Sequence, residues 1–182
     1  CHSIEWEKVE DILGISDIVV AHNASFDRAF LEKNIDFENV WTCSKNDVNW
    51  KERGFFNTKL ELLSIWHGFY YDSHRAMNDV NATIHLLLHP SYKDFSPLEE
   101  LVENSQKTHQ LIINKFPYNE SFIKMLKKRG GYRYNSSDRS WRILIKDSDV
   151  LDQEVDWLKK NIYNGYFQGK IKEISLYNKY KV

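Results

Sequence analysis

Two short stretches of this 182-residue chain hold side chains able to do chemistry together: His22-Asn23-Ala24-Ser25-Phe26-Asp27 and His74-Arg75-Ala76-Met77-Asn78-Asp79. Asp27 and Asp79 are carboxylates, hard oxygen donors of the kind that hold Mg²⁺ or Mn²⁺ among retained waters. His74 carries the imidazole, whose ordinary pKa of about 6.5 lets it take a proton near neutral pH. Carboxylates and a base in one place suit water attack on a phosphodiester, where paired ions clamp the attacking and leaving oxygens. Each residue also has a plainer role open to it. An Asp in a first helical turn complements the helix dipole, and a His before a helix is commonly a surface or capping residue.

Both stretches are expected at the ends of regular elements. Ile18, Val19, Val20 and Ala21 form an unbroken apolar run, the pattern of a short strand buried on both faces. Residues 25–33 then read as a helix with Phe26, Ala29 and Phe30 on one side. His22, Asn23 and Asp27 would therefore lie at the carboxyl end of a strand, where open α/β sheets form their sites. Upstream, Ile4, Val9, Ile12 and Leu13 predict a helix ending at Gly14. Residues 40–43 suggest a second strand, and 60–67 a helix stopped by Gly68. From Arg75 onward, Met77, Val80, Ile84, Leu87 and Leu88 recur along one helical face, with Pro90 as the stop. Pro97 opens a further helix running through Leu101.

In this order the two stretches resemble the DEDDh family of 3′→5′ exonucleases, in particular its bacterial branch of proteins similar to the proofreading epsilon subunit of DNA polymerase III. The second family motif, His-Asn-x-x-Phe-Asp-x-x-Phe-Leu, reads here as His22, Asn23, Phe26, Asp27, Phe30 and Leu31, and the third, His-x-x-x-x-Asp, as His74 to Asp79. Trp41-Thr42-Cys43-Ser44, Asp47, Trp50, Arg53-Gly54-Phe55 and Lys59-Leu60 continue the likeness between them. The resemblance implies an RNase H-like α/β fold, Asp27 and Asp79 as metal ligands, His74 as general base and Asn23 in the nucleotide pocket. It also implies two Mg²⁺ or Mn²⁺ ions in the intact protein, single-stranded DNA 3′ ends as substrate and a DNA polymerase subunit as partner. RNA trimming by the same chemistry stays open, because neither motif reads a 2′-hydroxyl.

The family's first motif, Asp-x-Glu, has no counterpart before His22. Asp36-Phe37-Glu38 and Asp152-Gln153-Glu154 carry its letters but follow the second motif, so they are expected to be surface carboxylates. A chain that begins with Cys and lacks this motif reads as an exonuclease shortened at its N-terminus. With two metal ligands of the family's four, it is expected to show little or no nuclease activity alone. The alternative is a non-catalytic nucleic-acid-binding or polymerase-associated module that keeps the fold without the chemistry.

The net charge of -1 conceals a division: residues 1–104 carry 9 Lys+Arg against 18 Asp+Glu, and residues 105–182 carry 16 against 8. Two domains are expected, an acidic exonuclease domain over 1–104 and a small basic α+β domain over 105–182. The second is read as a strand at 110–114, an Asn119-capped helix stopped by Gly130 and Gly131, a hairpin around residues 135–140, a helix with Leu151, Val155, Leu158 and Ile162 inward, and a closing strand at 171–176. The hairpin mixes Tyr132, Tyr134 and Trp141 with Arg133, Arg139 and Arg142, side chains able to stack bases and neutralise phosphates. Alternation puts Trp141 with Ile143 and Ile145 toward a core, which leaves Arg133 and Arg142 as the substrate-binding candidates.

A hydrophobic share of 42% excludes a disordered chain. No apolar run approaches the ~20 residues of a membrane span. With two cysteines and no leader-like start, the expectation is a soluble cytoplasmic protein without a disulfide framework or a membrane partner. Cys43 reads as a small buried apolar residue. His2, His67, His85, His89 and His109 lack acidic or cysteine companions at metal-site spacing, so zinc is not expected.

Overall fold

The computed structural model describes residues 4–146 and 148–181. Among them are seven α-helices and two sheets, a mixed α/β architecture. They divide into two compact units: residues 4–107 with 176–181 form the first, and Thr108–Ser175 the second. No helix among the described residues is long and apolar enough to cross a membrane.

The first unit opens with helix α1 (Trp6–Gly14), strand β1 (Ile18–Ala21), helix α2 (Ala24–Leu31) and strand β2 (Val40–Cys43). β1 and β2 pair in parallel, from Ile18 opposite Val40 to Ala21 opposite Cys43. A parallel pair needs a crossover connection, and α2 supplies it. Helices α3 (Leu60–Trp66), α4 (Ala76–Leu87) and α5 (Pro97–Ser105) follow. Gly68, with φ 80°, turns the chain after α3. Ser96 and Glu99 form a capping box at the start of α5, with Pro97 in its first turn. One core gathers Val48, Trp50, Leu63, Leu86 and Leu101, and another gathers Ala24, Trp41 and Cys43.

Two helices bury other faces than their apolar periodicity suggests. On α4, Met77 is 67% exposed and Val80, Ile84 and Leu88 are also exposed, while Ala82, Thr83, Leu86 and Leu87 are buried. On α2, Phe26 and Phe30 are exposed, and Ala24 and Arg28 are the buried positions. The reason lies in the neighbours: α4 packs on α3 and α5, and β2 is the only strand partner of β1 among the described residues.

Arg28 is buried because acceptors surround it. Its guanidinium donates to Glu32 Oε1 (2.8 Å) and to the backbone carbonyls of Lys179 (2.7 Å) and Tyr177 (2.8 Å), and it lies 5.7 Å from the ring centroids of Phe37 and Trp41. Lys179 Nζ donates to the carbonyls of Asn104 and Ser105, and the Tyr180 hydroxyl to Asp47 Oδ2 at 2.6 Å. Residues 176–181 thus belong to the first unit, and Leu176, expected to end the closing strand, begins a 3₁₀ turn, Leu176–Asn178.

The second unit runs β3 (His109–Asn114), α6 (Glu120–Arg129), β4 (Arg133–Asn135), β5 (Ser140–Ile145), α7 (Ser148–Asn161) and β6 (Lys170–Ile174). Its strands lie in the order β4-β5-β3-β6, every neighbour antiparallel, which is the split β-α-β arrangement. Asn119 caps α6 by accepting from the backbone N–H groups of Ser121 and Phe122. Ile112, Leu126, Ile145, Leu158 and Ile162 make the core, with Trp141, Ile143, Leu151 and Val155 packed against it. Glu154, expected at the surface, is 3% exposed. It accepts from Arg129 and from the Tyr132 hydroxyl at 2.6 Å, so its burial is matched by charged and hydrogen-bonded partners.

Candidate active site

The turn from β1 into α2 is built by Asn23 and His22. Asn23 has φ 83°, a left-handed conformation that asparagine tolerates better than most residues. It is exposed, and its side chain makes no capping hydrogen bond. His22 staples this turn to the chain before α3: its ring nitrogens lie 2.9 Å from Ser44 Oγ and 2.9 Å from the Thr58 carbonyl. Because a carbonyl only accepts, Nε2 carries the proton and Nδ1 accepts from the serine. Burial lowers the His22 pKa, partly offset by the Thr58 bond and by Asp79 and Glu61.

One turn into α2, Asp27 is an exposed residue. Its pKa is raised, first by desolvation and further by the negative charge of Asp79, against a lowering by its own backbone N–H. Asp79 occupies the first turn of α4. Burial and the neighbouring carboxylates of Asp79 and Glu61 push the Tyr71 phenol pKa up. Fifty-two positions apart in sequence, the two aspartates therefore share one electrostatic neighbourhood.

His74 precedes α4 in a tight turn with φ 64°, an uncommon value for a residue with a side chain. Arg75 and Asn78 hold that turn closed, Arg75 through the Asp72 carboxylate (2.8 Å) and Asn78 through the Asp72 carbonyl (2.9 Å). The imidazole is 88% exposed, and its Nε2 lies 3.4 Å from Glu61 Oε1 on α3. Glu61 also acts electrostatically on His22 and Tyr71, which links His74 to the surroundings of Asp79. Sequence patterning singles out neither Glu61 nor Tyr71; a carboxylate in the first turn of α3 was the available signal.

Among the described residues, no group of three His, Cys, Asp or Glu side chains is arranged to hold a metal ion. Asp27 and Asp79 are nonetheless the right donors for Mg²⁺, which commonly takes one or two carboxylates and completes its shell with water and substrate phosphate. A bound cation would offset the part of the Asp27 shift that comes from the charge of Asp79.

On the hairpin, Trp141 packs toward the core and the Tyr134 ring lies 5.4 Å from it. Arg142 is engaged: its guanidinium donates to Asp138 Oδ2 (2.6 Å) and Ser140 Oγ (2.9 Å). Arg133 is exposed. No protein-family model, curated protein or solved structure matches the chain.

Proposed function

We propose that the first unit carries the site of a 3′→5′ exonuclease of RNase H-like design, acting on single-stranded DNA 3′ ends. The observation that supports this reading is the position of Asp27 and Asp79 in the first turns of α2 and α4, with the charge of Asp79 among the causes that raise the Asp27 pKa, in a chain whose motifs resemble that family in residue type and order. Asp27 and Asp79 would hold Mg²⁺ or Mn²⁺, which draws charge from phosphate oxygens and eases water attack. Water's oxygen bonds to the terminal phosphorus as the bond to the neighbouring nucleotide's 3′ oxygen breaks. His74 takes the water's proton, and the released 3′ oxygen takes one from solvent. With Nε2 directed at Glu61, the imidazole presents Nδ1 as its basic nitrogen. Asn23, exposed at the turn into α2, would meet the nucleotide.

Mn²⁺ uptake followed by electron paramagnetic resonance tests this. At least one bound ion that is lost in both Asp27→Asn and Asp79→Asn supports it; uptake equal to wild type in both variants would refute it. Nucleic-acid binding without metal uptake would favour the non-catalytic module. The 182 residues supply two of the four carboxylates the resemblance implies, so little or no nucleotide is expected to leave 3′-labelled DNA.

A further inference from the structure

The sheet of the second unit has one face packed against α6 and α7, and its other face is open along Leu144, Lys170 and Lys172, although His109 at the start of β3 on that face is buried. Trp141, Ile143 and Ile145 on β5 and Ile112 on β3 belong to the core beneath the helices. Side chains alternate along a strand, so Arg142 and Leu144 on β5 and Leu111 and Ile113 on β3 point to the opposite face. Register extends this to the edges. Arg133 stands opposite Arg142, Arg142 opposite Ile113, and Ile113 opposite Lys170, a single row crossing all four strands. In the next row Leu144 stands opposite Leu111, and Leu111 opposite Lys172.

Arg133, Lys170 and Lys172 are exposed, and no ion pair holds any of them among the described residues. The acid on this side, Asp138 in the hairpin turn, is occupied by Arg142 at 2.6 Å. α6 and α7 together carry six Lys and Arg against five Asp and Glu, close to neutral. The uncompensated charge of the sheet therefore lies on its open face, around an aliphatic floor of Leu111, Ile113 and Leu144, the last 44% exposed.

We propose that this open face binds the sugar-phosphate backbone of single-stranded nucleic acid through Arg133, Lys170 and Lys172. From β4 to β6 the row crosses three interstrand steps, about 14 Å, enough to meet consecutive phosphates of an extended strand. The apolar floor suits the sugars and bases that a single strand exposes and a duplex encloses. Sheets of this design that read RNA stack bases on aromatic rings of the open face. Here those positions hold aliphatic and basic side chains, so binding is blind to base identity. The inference does not depend on hydrolysis at Asp27 and Asp79, and it adds Lys170 and Lys172 on β6 to the hairpin arginine.

The test is fluorescence anisotropy of labelled dT and dA oligonucleotides with the full chain, in EDTA, across a salt titration. Three neutralised phosphates contribute a slope of about -2 to log K against log salt, roughly a twentyfold loss of affinity between 50 and 200 mM. Changing Arg133, Lys170 and Lys172 together to Ala should remove that contribution, and R133K with K170R and K172R should restore it. Lys124→Ala with Lys127→Ala and Lys128→Ala, on α6 over the other face, should leave binding unchanged, and dT and dA should bind alike. An unchanged slope in the sheet-face variant, an equal loss in the α6 variant, or no recovery on restoring charge would overturn the proposal. Tighter binding to duplex, or to phosphatidylglycerol vesicles, would do the same.

Discussion

Replacing Arg28 should release the last residues of the chain from the first unit. Its side chain is 1% exposed and makes three charge-assisted hydrogen bonds, two of them to the carbonyls of Tyr177 and Lys179. Breaking a buried charged network from one side costs about 3–5 kcal/mol, because the remaining partners lose their bonds without regaining water. Arg28→Ala should therefore remove about 3–5 kcal/mol of the roughly 5–15 kcal/mol by which a domain is stable. Arg28→Met keeps the packed stem, and Glu32 can turn to solvent from its 31% exposed position. Its cost should be smaller, about 1–3 kcal/mol for the unsatisfied carbonyls. Urea unfolding gives the totals, and amide exchange of residues 176–181 locates the effect. If Arg28→Ala cost under about 1 kcal/mol, within the usual range for a surface residue, and those amides stayed protected, the anchoring role would be refuted.

Acid should loosen the first unit. Burial lowers the pKa of both His22 and His67, so below their ordinary value of 6.5 the unfolded chain takes up protons before the folded one does. Stability is full above about 6.5 and falls as the pH drops through the folded values, by at most ~1.4 kcal/mol per pH unit for each group; His67→Phe should flatten the pH dependence of unfolding, and an unaltered profile would contradict this. Asp27→Asn should slightly stabilise the unit near neutral pH, on the 0–1 kcal/mol scale of exposed charges, whereas a clear loss in thermal unfolding would count against repulsion from Asp79. In the second unit Leu158 is fully buried, so Leu158→Ala should cost about 2–5 kcal/mol, read as faster amide exchange confined to β3, β5 and the two helices.

The elements were legible because strong punctuation bounds them: Gly14, Gly68, Pro90, Pro97 and the Asn119 cap each mark an observed helix end or start. The second unit was the most readable part, since the residues spaced along α6 and α7 are those in its core. Periodicity failed on α2 and α4 because it reports which face is apolar and says nothing of what covers it. The burial of Arg28 has no local signature, because the two backbone carbonyls that accept from it lie 149 and 151 residues away. Glu154 escaped for the same reason, its partners standing on α6 and just before β4. At the site, residue type and spacing singled out Asp27, His74 and Asp79; Glu61 and Tyr71 join them only through the packing of α3 on α4.

The coupling of Asp27 to Asp79 is best measured by carboxyl-carbon NMR titration of Asp27 in the wild type and in Asp79→Asn. In the wild type Asp27 should titrate above the ordinary aspartate value of 3.8, and it should move down when Asp79 loses its charge and down again when Mg²⁺ is added to the wild type. An Asp27 that titrates at the ordinary value and responds to neither change would show that the two carboxylates do not share a site.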